Sequence, residues 1–416
     1  NNINLLLPNG QFGTRMTGGN DSASERYIFT ELNPITRKIF SQQDDNILQK
    51  IYDDGNPVEP IYYAPIIPMI LINGSKGIGT GFSTDILSYN PLQIINYLLE
   101  KLKNGLEDEN FQIDPYFEGF KGSVQMIQTN SSNKYLIKGV YKRIEENKIQ
   151  ITELPIGSWT TNYKEFLENL IDGNSNKSKS YVKDYVDMST EKNIDITVVF
   201  KSGILDKLET NVLEYNCTEL EKYMKLYTTA SFSNMHLFDS EDKLKLYKNP
   251  KEIINEYFVK RLELYEIRKQ YLCDILEKEL VILSNKAKYI QELLDGTIDL
   301  RKKNKEQITQ LLNSKKYNII DDDKDFKYLK KMPMDSVSEE EVTKIMNQKS
   351  DKEKEYKIIK EKSINKIWEE ELIELKEIYI KYKESRVLSQ NNELKKIKSK
   401  KKKDKLKLKL KKVEEF

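Results

Sequence analysis

From Pro250 onward the sequence places apolar residues at close to a 3.6-residue period over an unusually long distance. Phe258, Leu262, Tyr265, Leu272, Leu276, Leu280, Leu283, Ala287, Ile290 and Leu294 fall on one stripe, with Lys269 as its polar break, and Gly296 ends the run. At about 1.5 Å per residue the helix predicted here reaches roughly 60 Å. A stripe of that length needs a comparably long partner. A second helical stretch from Ser350 to Glu384 supplies one, with Ile364, Trp368, Leu372, Leu375, Tyr379 and Tyr382 on one face. Two long stripes separated by a short mixed region predict an antiparallel coiled-coil arm with a small domain at its tip; two helices in an ordinary bundle would show the same periodicity.

The chain before this arm has a different character. Residues 1–90 are rich in Gly, Pro and Asn and read as short elements joined by loops, with Arg26 to Phe40 as a helix or an extended arm leading into one. A helix follows at Pro91–Lys103, with Leu92, Ile95, Leu98 and Leu99 on one face. Over 115–250 the pattern is α+β. Tyr135–Ile137 and Ile149–Ile151 read as strands, and Ile194, Ile196 and Val198 alternate with Asp195 and Thr197 at period two. Tyr163–Ile171 and Leu220–Tyr227 read as short helices.

The hydrophobic fraction of 38% and charged fraction of 32% suit long solvated helices better than one compact globule, and 416 residues are enough for two or three domains. No apolar run is long enough to span a membrane. The two cysteines, Cys217 and Cys273, make no CxxC pair, which excludes a disulfide framework and argues against zinc. His236 is the only histidine, so a triad built within this chain would have to use it; nothing around it suggests a nucleophile, and it reads as structural. Residues 395–412 hold 12 lysines and Asp404, a net +11 against +2 for the whole chain. Such a block can bind phosphate non-specifically or act as a nuclear-import signal, and its plainer reading is a solubilising tail.

Two groups of residues could carry chemistry. Gly77-Ile78-Gly79-Thr80-Gly81 allows a tight turn and leaves Ile78 as the one bulky side chain among small neighbours. That is either an exposed apolar wedge able to pry apart a base step or a plug for the core. Arg26-Tyr27 joins a potential oxygen nucleophile to a cation suited to phosphate charge, although one tyrosine among 25 is more often a packing residue. There is no GxxxxGK[ST] phosphate loop, and the glycine run lacks the dinucleotide fingerprint.

Longer blocks narrow the choice. Asn2-Ile3-Asn4-Leu5-Leu6-Leu7-Pro8-Asn9-Gly10-Gln11-Phe12-Gly13-Thr14-Arg15, then Gly18 to Thr30 with Arg26-Tyr27 inside it, then Val58-Glu59-Pro60 and Pro65 to Gly81, occur in order and at fitting spacing. Together they resemble the tyrosine-bearing segment of eukaryotic-type type II DNA topoisomerases. Phe120-Lys121-Gly122, Glu153-Leu154-Pro155, Trp159-Thr160 and Ser233 to Asp239 are similar to landmarks of that family's tower domain. Met332-Pro333-Met334-Asp335 departs from the family, which usually has an aromatic residue in place of Asp335.

The resemblance implies an α+β multidomain fold: the C-terminal part of a winged-helix domain at 1–95, an α/β tower at 96–250, a long antiparallel coiled coil with a helical exit-gate dimerisation domain at 251–385, and a basic tail at 386–416. It implies that Tyr27 forms a 5′-phosphotyrosyl link and Arg26 stabilises the scissile phosphate. Ile78 would enter the bent duplex, with Gln11 and Arg15 near the DNA backbone. The activity implied is ATP-dependent double-strand cleavage, duplex passage and religation by a nuclear homodimer acting on double-stranded DNA. The opening on Asn1 without Met is expected of a fragment, with the regions that bind ATP and Mg²⁺ upstream and no metal ligands within this sequence. Asp321-Asp322-Asp323 and Glu339-Glu340-Glu341 read as solvated loop or helix-start charges. Two other readings remain: a bacterial-type gyrase or topoisomerase IV cleavage protein, against which Gln11–Arg15 and Ser233–Met235 argue, and a non-catalytic DNA-binding coiled-coil scaffold.

Overall fold

A computed structural model describes residues 1–105, 111–128, 133–172, 180–301, 303–321, 323–333 and 337–388. The lysine block, Asp322 and Met334-Asp335 lie outside them. The strands in chain order are β1 (Lys50–Asp53), β2 (Asn56–Pro60), β3 (Ser75–Ile78), β4 (Ser83–Ile86), β5 (Ser123–Gln128), β6 (Asn133–Lys138), β7 (Val140–Glu145), β8 (Lys148–Glu153), β9 (Val182–Asp187), β10 (Ile196–Phe200), β11 (Tyr227–Ser231), β12 (Met235–Phe238) and β13 (Leu244–Tyr247). The chain divides into two compact units, one of Asn1–Ser41, Pro65–Val259 and the chain from Leu372, the other of Gln42–Ala64 and Lys260–Glu371.

The first unit is mixed α/β. An antiparallel sheet of order β7-β8-β10-β9 carries one hydrophobic core. The predicted alternation holds in β10: Ile196, Val198 and Phe200 are buried, and they join Ile149, Ile151, Leu154 and, from the Thr160–Asp172 helix, Tyr163, Leu167 and Leu170. A second sheet has the order β11-β6-β5. The predicted helix over Leu220–Tyr227 is shorter in fact. It spans Glu219–Tyr223, Lys225 takes a positive φ of 49°, and Tyr227 starts β11 by pairing with Lys138. The Pro91–Asn104 helix has the ends its sequence asks for: Asn90 caps the Leu92 amide, Pro91 fills the first turn, and Gly105 turns left-handed at φ 64°. Its buried face holds Ile95 and Leu98 as expected but is centred on Ile94 and Tyr97, with Leu92 and Leu99 only half-buried.

Residues 372–388 return to the start of the chain. Leu372, Leu375 and Tyr379 are buried, Lys376 reaches Asn96, Lys383 donates to the Tyr116 hydroxyl, and Arg386 donates to the Asn2 carbonyl.

The second unit is dominated by helices. The predicted long helix runs Pro250–Leu294, its residues from 260 in this unit, and Gly296 at φ 71° follows its end. The return path departs from a single helix over Ser350–Glu384. One helix spans Glu339–Glu361 and ends at Lys362, whose ψ is 128°; a new one begins at 364, with the Ser363 hydroxyl accepting from the Lys366 amide. Ser363 therefore acts as an N-cap in the middle of a run that has helical periodicity throughout. Pairings descend along one helix as they ascend along the other. Ile290 packs with Ile345, Glu279 pairs with Lys352, Glu277 accepts from Tyr356, and Tyr265 stacks on Trp368. This makes the pair antiparallel. Beyond it Tyr289, Ile298, Leu312, Tyr317, Phe326 and Leu329 form a separate small core. Glu339, Glu340 and Glu341 occupy the first turn of their helix, where the dipole favours acids.

Near Lys260 the long helix buries charge. Arg261 and Arg268 are each 1% exposed. Arg261 bonds the Asp44 carboxylate at 2.7 Å; Arg268 bonds Asp44 at 3.2 Å and Glu371 at 2.7 Å. The Tyr265 ring lies beneath both guanidiniums, with centroid distances of 4.2 and 4.5 Å, and its hydroxyl donates to Glu371. Burial pushes that hydroxyl's pKa up. Two cations and two carboxylates balance within the cluster, which ties the Gln42–Ala64 segment to both helices.

Candidate functional site

Tyr27 ends a 3₁₀ turn, Glu25–Tyr27, in a long loop closed at its base. Leu6 bridges Leu32, the Leu7 amide donates to the Glu31 carbonyl, and the Asn33 amide donates to the Leu5 carbonyl. Higher in the loop the Ala23 amide donates to the Gln11 carbonyl. Tyr27 is 67% exposed, and the Arg26 guanidinium lies 5.0 Å from its ring centroid. This does not suit a packing residue: the phenol is held beside a cation and open to an approaching anion. Gln11 is exposed too, with its side-chain amide donating weakly to the Asp21 carbonyl.

Arg15 has a different setting. Its guanidinium pairs with the fully buried Glu153, and its amide donates to the Glu191 carbonyl. The Glu153 carboxylate also accepts from the Lys121 and Leu154 amides. The charge of Arg15 is thus answered within the protein, and the residue anchors its loop to the end of β8. Nearby, Asp21 accepts from the Thr14 and Thr17 hydroxyls and the Thr14 amide, which together hold its pKa down to about 2. Gly18, at φ 71°, lies so close to Trp159 that a Cβ would fall 2.3 Å from the indole ring. The Thr161 amide closes the contact by donating to the Met16 carbonyl. The motifs at Gln11–Arg15, Glu153–Pro155 and Trp159-Thr160 are therefore one packed junction. Sequence reasoning had the pieces but not their pairing, since Arg15 and Glu153 lie 138 residues apart.

Ile78 belongs to a separate structure, the β3–β4 hairpin, in which it pairs with Ser83 across the Gly79–Gly81 turn. It is 94% exposed, which excludes a core plug. Gly81 takes φ 83° in the turn. Lys76, on the same face of β3, pairs with Asp85 at 3.0 Å.

Among the described residues no three His, Cys, Asp or Glu side chains come together to hold a metal. None of the described helices is long and apolar enough to cross a membrane.

The exposed Tyr27 phenol thus lies beside a guanidinium, and the exposed Ile78 sits at the end of a hairpin strand. Residues 1–373 match the family model for the A subunit of DNA gyrase/topoisomerase IV, and the chain belongs to that family. It is 44% identical over 259 residues to the Arabidopsis thaliana protein named DNA topoisomerase 2, and 43% identical over 262 residues to that of Pisum sativum; the matches cover 62% and 63% of this chain and 17% of each relative. It also matches the crystal structure titled Plasmodium falciparum topoisomerase II DNA-binding, cleavage and re-ligation domain. That match has a TM-score of 0.78 and 35% identity, and it covers 94% of this chain and 54% of the other. The relatives' names favour the eukaryotic-type reading over the bacterial one. The chain spans about a sixth of the length of these curated relatives.

Proposed function

We propose that this chain is the tyrosine-bearing part of the breakage–reunion core of a eukaryotic-type type II DNA topoisomerase. The observation that carries the reading is the open Tyr27 phenol with Arg26 against its ring. In the proposed step the Tyr27 oxygen attacks a backbone phosphorus, and the bond from phosphorus to the 3′ oxygen breaks. The phenolic proton is lost, the departing 3′ oxygen gains one, and a 5′-phosphotyrosyl ester stores the bond energy for resealing. Arg26 offsets the charge that builds on the phosphate oxygens. Ile78 enters a base step and kinks the duplex. Gln11 and Arg15 would lie near the DNA backbone, Arg15 with its guanidinium also paired to Glu153.

The same reading assigns 1–95 to a winged-helix part, 96–250 to a tower, 251–385 to a coiled coil with a dimerising exit gate, and 386–416 to a basic tail. It places the protein in the nucleus, although the name of one relative, from Dictyostelium discoideum, carries the word mitochondrial. Two tyrosines are needed to cut both strands, so a homodimer follows. ATP and Mg²⁺ would be bound by regions of the full-length protein outside this chain.

In the full-length protein Tyr27→Phe removes only the nucleophilic oxygen. Covalent protein–DNA adducts should vanish while DNA binding persists. Adducts at the normal level would sink the assignment, and a lack of adducts from the unmutated protein would leave the scaffold reading standing.

A further inference from the structure

A wedge works only if the force of unstacking has somewhere to go. Unstacking a step costs a few kcal/mol, and an isolated two-stranded hairpin is marginally stable in water. The β3–β4 hairpin is not isolated: the segment before and within β12 lies against β4. The Asp85 amide donates to the Asn234 carbonyl at 2.8 Å, and the Asn234 side-chain amide donates to the Ser83 hydroxyl at 2.9 Å. Ser83 is the residue directly across from Ile78. The Asn234 side-chain oxygen is in turn engaged by Nδ1 of His236 at 2.8 Å, which orients the amide with its NH₂ toward Ser83. Phe82, the residue between the turn and Ser83, packs edge-on against Phe238 at 5.8 Å and tilted against His236 at 6.4 Å. Its carbonyl accepts from the Gly79 amide at 2.8 Å, and its ring sits where a Gly79 Cβ would be, 2.7 Å away.

We infer that Phe82, Asn234 and His236 are positioning residues that brace the hairpin and hold Ile78 out for insertion into duplex DNA. The inference rests on the wedge reading of Ile78. None of the three is assigned contact with DNA; each acts through the hairpin. The sole histidine thereby gains a role, as the group that fixes an amide rotamer beside the wedge.

The test uses the full-length protein and a duplex with 2-aminopurine at the step that is unstacked, read by its fluorescence, with bending followed by energy transfer between end labels. Phe82→Ala should lower the 2-aminopurine signal and the bent fraction by about 3- to 10-fold, the scale of lost aromatic pairs, at an unchanged melting temperature. Phe82→Tyr should restore both. Asn234→Ala should act in the same direction and decides the matter if Phe82→Ala fails to fold. Combined with Ile78→Ala, Phe82→Ala should add no further loss, because it acts through the same side chain. If Ile78→Ala lowers the signal and neither Phe82→Ala nor Asn234→Ala does, or if the double mutant shows additive losses, the brace is overturned. If Ile78→Ala itself leaves unstacking unchanged, the wedge reading fails and the brace falls with it.

Discussion

At the β3–β4 hairpin an isoleucine stands almost wholly in solvent, while near the start of the second unit's long helix two arginines are almost wholly out of it. Each region reverses the ordinary sorting of side chains, and they do so for different reasons. Burying Ile78 would contribute about 1.5–3 kcal/mol to folding, and the fold forgoes it. Burying Arg261 and Arg268 carries a desolvation penalty that their carboxylate partners must offset. The charged exception is answered within the chain, by Asp44, Glu371 and the Tyr265 ring. The apolar exception is answered by nothing among the described residues. An unsatisfied feature that folding tolerates points outward to a partner, and a satisfied one points inward to architecture.

That contrast can be broken most decisively at the cluster. Arg268→Ala leaves Asp44 and Glu371 short of a cation in a buried site, and should destabilise by about 3–5 kcal/mol in urea unfolding. A loss under about 1 kcal/mol would mean that the site is wetter than its burial indicates. Replacing Arg261, Arg268, Asp44 and Glu371 together by apolar residues of similar volume should cost far less than the single change.

Gly18→Ala comes next. The added Cβ meets Trp159 and the backbone is left-handed, so about 1–3 kcal/mol of stability should be lost, the range for overpacked sites. An unchanged midpoint would show that the junction of the Tyr27 loop with the Thr160 helix is loose. Smaller again is the effect of acid on Asp21. Its carboxylate titrates lower folded than unfolded, so its contribution is fully present above about pH 4 and is lost as pH falls through about 2. Amide exchange in residues 14–21 should therefore quicken over that window in the native protein and not in Asp21→Asn. Last, Ile78→Ala should shift folding stability by no more than about 0.5 kcal/mol, as for surface changes. A large fall there would erase the contrast altogether.

The long helix was legible because Phe258 to Leu294 repeat locally and Gly296 stops them. Arg261 and Arg268 were not, because charge in a helix ordinarily reads as a solvent face and their partner Asp44 lies 217 and 224 residues away. Lys269, marked as the polar break, is only half-buried; its neighbour Arg268 is the cation inside. The break at Lys362-Ser363 has no glycine or proline to announce it, only a serine that could cap. Tyr227 continues a helical pattern in the sequence, but pairing with the distant Lys138 recruits it to a sheet. At the candidate site the sequence named Arg26, Tyr27 and Ile78 but left Ile78 between wedge and plug, since exposure is a property of the folded surroundings. Phe82, Asn234 and His236 sat in recognised motifs without a reason to meet.

The chain has two tryptophans, and they fall one to each unit: Trp159 over Gly18 in the first, Trp368 stacked on Tyr265 in the second. The protein thus carries a built-in optical label in each half. With either indole replaced by phenylalanine, the remaining emission should report one unit alone, so that melting of the mixed α/β unit and of the helical unit can be watched separately without attaching any dye.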